Sequence, residues 1–292
     1  MSSKTTDAIK SYTRNPDAIV EAGEVVDMRF QTGASLSLRA AKLFHLLVQA
    51  AGVDVTEDKQ HRLTFSSLND VFHLSVEELE DLIDELHSTT LKLKLTDNDG
   101  RKYTKSGPII SDFEREDETQ GQAELRFDFS KSFRAAISES SHWAVISRKA
   151  VMAFESKYSL RLYTILSLRS GLRKASEDFI LEDFRAMLGV TENAYPRWNN
   201  FRQFVLTPAM KEVNQLAGLI VGYTPLRNGR KIVGVRLTWG VKDQNERLVA
   251  LKELDASKVG RKARREGQVE LIAQAEKIER QEISLALSTI RD

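Results

Sequence analysis

Residues 219–239 read LIVGYTPLRNGRKIVGVRLTW, and this stretch decides the fold. Two β-type runs, 219–226 and 231–239, are joined across Asn228-Gly229, and an Asn-Gly pair between such runs is the strongest short-range signal for a hairpin. Alternate apolar residues of the second run are expected to face the core: Val233, Val235, Leu237 and Trp239. The sequence therefore predicts a two-stranded β-hairpin here.

Helical patterns precede this hairpin. Ser147 is placed to cap a helix that runs to residue 154, and a second helix over 158–170 ends at Gly171. After a short strand at 179–180, a helix over 181–188 stops at Gly189, and a long segment over 196–216 follows. Three helices and then a hairpin is the order of a winged helix, in which the third helix enters the DNA major groove.

The same order of elements occurs earlier in the chain. Helical spacing covers 36–51, a strand covers 63–65, and Ser66 or Ser67 caps a helix to residue 73. Ser75 opens a helix over 76–88 whose outer face is strongly acidic. Residues 91–95 and 123–129 alternate as hairpin strands, with a turn at 98–100 and an exposed acidic loop at 111–122.

These patterns predict an α+β protein of two tandem winged-helix domains related by pseudo-symmetry. The first domain covers 20–140, the second covers 145–240, and a helical or disordered tail covers 241–292. The tail carries a basic cluster and then Leu271, Ala275 and Ile278 at helical spacing, and it is expected to be peripheral to the fold.

Charge is distributed unevenly although the formal net charge is only +1. Residues 1–147 carry a net charge of −8, residues 148–240 carry +8, and residues 241–292 carry +1. A basic domain is the electrostatic signature of a phosphate-binding surface. Taken alone, the excess of basic residues over 148–240 is also compatible with an ordinary solvated surface.

Composition also limits the compartment. The chain has no cysteine, which favours a reducing cytoplasm and excludes disulfides and thiolate metal sites. Its first residues lack the apolar core of a signal peptide, and no later run is long enough to span a membrane. We expect a soluble protein of the bacterial cytoplasm that does not bind a membrane.

The start of the long segment at 196–216 is rich in side chains that read base edges. Phe201, Phe204 and Val205 have the spacing of a buried stripe, which leaves the polar residues outside. Arginine pairs with guanine, and asparagine or glutamine pairs with adenine. The predicted base readers are Arg197, Asn199, Asn200, Arg202 and Gln203. Thr207-Pro208 allows either a break or a kink further along.

Basic residues elsewhere suggest phosphate contacts. The hairpin tip carries Arg227, Asn228, Arg230 and Lys231, for which a basic turn kept for solubility is the alternative. In the first domain Lys92 and Lys94 are candidates for weaker backbone contacts, although lysines at a sheet edge often only prevent aggregation. The acidic helix over 76–88 is a poor groove reader, because its carboxylates repel phosphates.

Enzymatic motifs are missing from the sequence. It contains no Gly-Lys-Ser/Thr phosphate loop, no Gly-x-Gly-x-x-Gly and no histidine pair at metal-binding spacing. A rolling-circle nickase needs a histidine pair flanking an apolar residue, and that pair is also missing. We therefore expect no enzyme activity, no cofactor and no metal.

Three runs resemble the iteron-binding plasmid replication initiators of the Rep_3 family. They are residues 154–163 (FESKYSLRLY), residues 201–214 (FRQFVLTPAMKEVN) and residues 229–235 (GRKIVGV). The resemblance is good over about 147–240, whereas over 20–140 it is carried by the order of elements. It implies two winged helices, of which the second binds the main part of each origin repeat, while the first contacts the DNA backbone and mediates dimerisation.

The resemblance also assigns roles and partners. It places the recognition role on the segment from Arg197 to Lys211 and the backbone-contacting wing on 227–231. It implies that monomers open the origin, while dimers repress their own gene or couple origins, and so limit plasmid copy number. Host initiator, replicative helicase and chaperones are the implied protein partners.

Two other functions stay open at this point. The same helices would serve a transcriptional repressor or partition-type protein with no role in initiation. The other alternative does not involve DNA: a protein-interaction module in which the acidic first domain docks a basic partner.

Overall fold

The computed structural model describes residues 4–30, 35–72, 74–96, 99–116, 124–172 and 174–268. Its first half contains α1 (Lys4–Tyr12), β1 (Ala18–Ala22), α2 (Gly23–Val26), β2 (Arg29–Phe30), α3 (Leu38–Ala51), β3 (His61–Thr64), α4 (Phe65–Phe72), α5 (Val76–Ser88), β4 (Thr90–Thr96), β5 (Lys102–Pro108), β6 (Ile110–Arg115), β7 (Glu124–Phe129) and α6 (Lys131–Ser138).

The second half contains β8 (Trp143–Ser147), α7 (Arg148–Ala153), α8 (Lys157–Ser170), β9 (Ser176–Ile180), α9 (Leu181–Met187), α10 (Trp198–Phe201), a π-helical turn (Arg202–Leu206), α11 (Thr207–Leu216), β10 (Leu219–Asn228), β11 (Lys231–Val241), α12 (Gln244–Asp255) and α13 (Arg261–Arg265). Among the helices that the structure describes, none combines the length and the apolar character needed to cross a bilayer.

The two halves repeat one strand pairing. In the first half β3 precedes the second helix of the unit and pairs antiparallel with β7, the last strand of the unit. In the second half β9 pairs in the same way with β11. This shared pairing confirms the prediction of two winged-helix units in tandem.

The first unit contains an extra hairpin. Its strands β4 and β5 pair with each other and β4 also pairs with β2, whereas β7 pairs with β6. The two runs grouped in the sequence as hairpin strands, 91–95 and 123–129, therefore belong to different hairpins. Their partners at 102–108 and 110–115 were missed because neither shows a clean alternation of apolar residues.

The acidic stretch predicted as an exposed loop at 111–122 is partly a strand. Ile110 is buried and Phe113 is half-buried, while Glu114 on the exposed face lies 3.7 Å from the guanidinium of Arg126 on the neighbouring strand. Cross-strand pairing thus neutralises part of the acidic charge that suggested a loop. Residues 117–122 of that prediction lie outside the described residues.

Local capping signals explain where several helices begin. Ser75 opens α5 and Ser147 caps α7, as predicted, and the structure adds that Ser75 and Glu78 form a reciprocal capping box. The expected cap of α4 at Ser66 or Ser67 is wrong. Its helix begins at Phe65, and Thr64 Oγ1 accepts the hydrogen bond from the Ser67 N–H at 3.3 Å, because the strand residue already occupies the capping position.

Buried arginines of α8 tie the two units together. Arg161 donates to the carbonyl of Met28 at 2.7 Å and to that of Met187 at 2.9 Å. Arg169 bridges Asp27 and Glu177 across the same boundary, at 2.9 and 3.1 Å. Strands β1 and β8 also pair antiparallel, and one continuous apolar core runs through both units. The second unit is therefore anchored to the first.

The segment after the second hairpin is helical, as expected, but it is not peripheral. Arg261 of α13 is only 1% exposed and donates to the carbonyls of Ala153 at 3.1 Å and Ala256 at 3.2 Å. A second arginine, Arg264, pairs with Glu253 of α12 at 2.7 Å. Two arginines of the basic cluster therefore serve as internal hydrogen-bond donors. The expected helix at Leu271, Ala275 and Ile278 lies outside the described residues.

Candidate nucleic-acid interface

The recognition segment is one continuous helical run from Trp198 to Leu216 with a π-helical turn in its middle. The Thr207 N–H donates to the carbonyl of Arg202, five residues earlier. Pro208 follows directly, and proline has no N–H and a ring that collides with the carbonyl four residues before it in a regular helix. The wider turn accommodates the proline. The helix therefore bulges at the position where the sequence predicted either a break or a kink.

This bulge changes which side chains face the core. Phe201, Val205 and Leu206 are buried, whereas Phe204 is 54% exposed. The expectation that Phe204 belongs to the buried stripe is therefore wrong. Regular helical spacing of three and four residues does not hold where the hydrogen bonds span five residues.

The predicted base readers lie on the surface. Arg197 occupies the N-cap position of α10, and the other four predicted residues follow it in α10 and in the π-helical turn. All five of the predicted residues are exposed: Arg197, Asn199, Asn200, Arg202 and Gln203. Within the described part of the chain, neither of these arginines forms an ion pair with a carboxylate. Their donors are free to bind an anionic ligand.

A cleft separates the helix start from the hairpin. The helix side is lined by Arg197, Trp198, Asn199 and Arg202, and the hairpin side by Tyr223, Pro225, Arg227, Arg230 and Ile232. Trp198 meets Tyr223 edge-on with ring centroids 6.1 Å apart, which fixes the hairpin against the helix. The structure thus brings four of the predicted arginines to one cleft without an acidic residue in its lining.

The hairpin tip differs in detail from the sequence prediction. Asn228 pairs with Lys231, so the two-residue turn is Gly229-Arg230, and Gly229 has a φ of +60°. All four predicted residues of the wing are exposed: Arg227, Asn228, Arg230 and Lys231. Val233 was expected to face the core but is 40% exposed, because it is the extra residue of a β-bulge, between Ile232 paired with Arg227 and Gly234 paired with Leu226.

Lys211 lies outside the cleft. Its Nζ is 2.6 Å from Glu266 Oε2, and the lysine holds the pKa of that carboxyl below its usual range. Arg236 on β11 is similarly paired with Asp178 and lowers the pKa of that carboxyl. These two cations already have acidic partners within the protein.

The candidate contacts of the first unit lie on its extra hairpin. Lys92 is exposed on β4, and Lys94 occupies the register position opposite Thr104. On the neighbouring helix α5, Glu78 pairs with Arg39 at 2.8 Å and Glu80 pairs with Arg115 at 2.8 Å. These two glutamates of α5 therefore form ion pairs within the first unit.

Sequence reasoning missed the aromatic side chains that support the site. Trp198 and Tyr223 join the helix to the hairpin, and Tyr195 packs against Phe204 with ring centroids 6.0 Å apart. No local signal identifies these pairs, because their members meet only after the chain folds. Among the described residues there is no cluster of three histidine, aspartate or glutamate side chains suited to a metal ion.

Two family models match this chain. Residues 19–167 match the model described as Initiator Replication protein, WH1, and residues 180–239 match Initiator Rep protein, WH2. The chain belongs to the initiator Rep protein family. The first match includes α7 and most of α8 of this initiator Rep protein. The second match includes the candidate recognition helix and the hairpin that follows it.

One solved structure shows a similar fold, and a second matches with a TM-score below 0.5. A crystal structure of Pi initiator protein in complex with iteron DNA is 18% identical, with a TM-score of 0.55, and the match covers 78% of the initiator Rep protein and 98% of that chain. A structure of domains 2 and 3 of RctB is 12% identical, with a TM-score of 0.40, over 76% and 86% of the two chains. No curated protein sequence matches.

Proposed function

We propose that this initiator Rep protein starts plasmid replication by binding the repeated sequences of its origin as double-stranded DNA. The observation that carries the proposal is the exposed run of base-reading side chains beside a cleft with four arginines. The Pi initiator protein, which has a similar fold, was crystallised with iteron DNA. This likeness supports the same class of ligand.

The second winged helix supplies sequence reading in this proposal. Arg202 and Arg197 donate in pairs to guanine, while Asn199, Asn200 and Gln203 suit adenine. The hairpin tip contacts the sugar-phosphate backbone, because Arg230 and Lys231 project there without acidic partners among the described residues. The two surfaces face one cleft, so both engage one duplex.

The first winged helix has a supporting role. Its α5 is acidic and pairs with arginines of its own unit, which makes it a poor reader of the groove. Lys92 and Lys94 offer weaker backbone contacts. We propose self-association through this unit, with dimers repressing the gene and limiting copy number.

Location and partners follow from the same proposal. The protein acts in the bacterial cytoplasm, where host initiator, replicative helicase and chaperones are its protein partners. It works by binding and has no catalytic step, since the sequence lacks the motifs of a nickase and of a nucleotide hydrolase.

Footprinting on the DNA upstream of the protein's own gene tests this function. We expect regularly spaced protection of direct repeats. Protection of a single inverted repeat would favour a repressor instead, and no protection of any duplex would favour a protein-interaction module. Replication of a plasmid that lacks the gene, with the protein supplied in trans, separates an initiator from a repressor.

A further inference from the structure

Two aromatic rings form an exposed stack beside the base-reading residues. Phe204 is 54% exposed, and its ring lies against Tyr195 with centroids 6.0 Å apart and planes inclined by 29°. Single exposed apolar side chains are common on protein surfaces. This one is paired with a second aromatic ring and projects from the recognition helix, so it requires a separate explanation.

The stack is held by a buried arginine. Tyr195 has a φ of +53°, a left-handed conformation that residues other than glycine rarely adopt. Arg185, which is 6% exposed, donates to the Tyr195 carbonyl at 2.8 Å and to the Ala194 carbonyl at 2.5 Å. Its guanidinium also lies 5.1 Å from the ring centre of Phe201. The loop before the helix is thus fixed in the conformation that presents Tyr195.

The π-helical turn leaves Phe204 exposed next to two of the predicted base readers. Arg202, Gln203 and Phe204 are three consecutive exposed residues. Arg202 lines the cleft toward the hairpin, whereas Phe204 is not part of that lining and rests on Tyr195 instead. The aromatic stack therefore adjoins the polar readers in the sequence and lies outside the cleft lining.

We propose that Phe204, backed by Tyr195, contacts the C5-methyl group of a thymine in the major groove. This inference rests on the proposed function and extends it to a residue that selects a base. The thymine methyl is the apolar group that the major groove displays, and an aromatic side chain is among its known partners. The rigid loop keeps the ring in place, so little side-chain freedom is lost on binding.

The test uses the full-length protein and a duplex recovered by it from a randomised 30-base-pair library. Each thymine of that duplex is replaced in turn by deoxyuracil, which differs only by the missing methyl group. For the wild-type protein we expect about a 4-fold loss of affinity at one position, the effect of one buried methyl group. Phe204→Ala should lower affinity for the intact duplex and show no further loss at that position.

Two variants act as controls. Ile220→Ala removes another exposed apolar side chain, from β10, and should retain the 4-fold penalty for deoxyuracil. Phe204→Gln replaces the ring by a polar side chain and should behave as Phe204→Ala. Agreement between the two variants shows that the effect does not come from a folding defect in one of them. Both Phe204 variants should keep the wild-type affinity for a random duplex.

The outcomes separate the inference from the function it rests on. If the wild-type protein selects no duplex, the proposed function fails. If it selects a duplex but Phe204→Ala retains the deoxyuracil penalty, or no thymine shows one, the methyl contact is wrong. Loss of binding only to single-stranded oligonucleotides in Phe204→Ala would instead assign the stack to unpaired bases and overturn the proposal.

Discussion

Arg185 donates a hydrogen bond from Nη1 to the carbonyl oxygen of Tyr195 across 2.8 Å, from a position that is only 6% exposed. The acceptor belongs to the last loop before the recognition helix, where the backbone adopts a φ of +53°. A buried side chain of α9 thereby determines the conformation of a loop at the candidate DNA surface. The stability of the domain and the geometry of the surface are linked through this residue.

Arg185→Lys tests this link. Lysine keeps the charge but lacks the planar fork that serves the carbonyls of Ala194 and Tyr195 together. We expect a loss of about 2 kcal/mol in the free energy of unfolding, the scale for one buried carbonyl left without a donor, measured by urea denaturation. Glu182→Ala removes only the exposed carboxylate 3.7 Å from the same guanidinium and should cost less than about 0.5 kcal/mol. Equal losses in the two variants would contradict this account.

Arg202→Ala should weaken specific DNA binding. If Arg202 grips a guanine, its loss costs about 1–3 kcal/mol of affinity for the selected duplex and relaxes the preference at one base pair. Titration of the selected duplex and of single-base variants measures both effects. Unchanged specific affinity, with an unchanged circular dichroism spectrum, would remove Arg202 from the set of base readers.

Lys231→Ala should weaken binding to every duplex alike. The slope of log K against log salt concentration is expected to decrease in magnitude by about 0.9, the value for one phosphate contact. Lys174→Ala is a matched control, because Lys174 is an exposed lysine of the same unit beside Ala175, whose carbonyl bonds Trp239 at the opposite end of β11 from the tip. A slope that shrinks equally in both variants would show a general charge effect and no wing contact.

Arg261→Met should destabilise the whole protein. The buried guanidinium of Arg261 donates to Ala153, Ala256 and Glu253, and the substitution leaves these acceptors and the Glu253 carboxylate without their partner. We expect a loss of about 3–5 kcal/mol in the free energy of unfolding. The neighbouring Lys262→Ala changes an exposed side chain and should alter it by less than about 0.5 kcal/mol. A marginal effect of Arg261→Met would return the segment 244–265 to a peripheral role.

Lys42 should make stability depend on pH in the alkaline range. Burial lowers the pKa of Lys42 from 10.5 to about 8, with a smaller contribution from Lys258. Between these two values the unfolded chain binds more protons than the folded one, so stability rises with pH across this window, and the penalty of the buried charge is fully present below about pH 8.

Lys42→Met removes this dependence. The free energy of unfolding of the wild-type protein, relative to Lys42→Met, should increase by roughly 3 kcal/mol from pH 8 to pH 10.5. Urea denaturation at several pH values measures the difference, in which titrations common to both proteins cancel. Lys174→Met, at an exposed position, should run parallel to the wild type. A flat difference for Lys42→Met would mean that the ammonium is not desolvated.

Much of the secondary structure was predictable because its signals are local. The start of α5 at Ser75 and the alternation of Val235 with Leu237 depend on residues close together in the chain, and the structure confirms both. The partners of the extra hairpin were not predictable in this way. Strand pairing is a long-range choice, and residues 102–108 lack the alternating pattern that would announce a strand.

In the candidate site, too, local signals were predictable and long-range contacts were not. Residue types and the absence of acidic residues over 195–211 predict a recognition helix from the sequence alone, and the structure shows a helical run there with the five predicted readers exposed. Phe204 was misplaced because the π-helical turn before Pro208 shifts the helical period, and the basic cluster after residue 257 was misread because its partner Glu253 is reached only through folding.

The sequence by itself determined the order of helices and hairpin in the second unit, its basic character and the family, since all three reside in residue types and their spacing. Only the tertiary structure decided which cations remain available for DNA. Lys211 and Arg236 are paired with Glu266 and Asp178, whereas the arginines of the cleft face no carboxylate among the described residues. The reason is that an ion pair depends on distances of a few ångströms between groups far apart in the chain, and packing alone sets those distances.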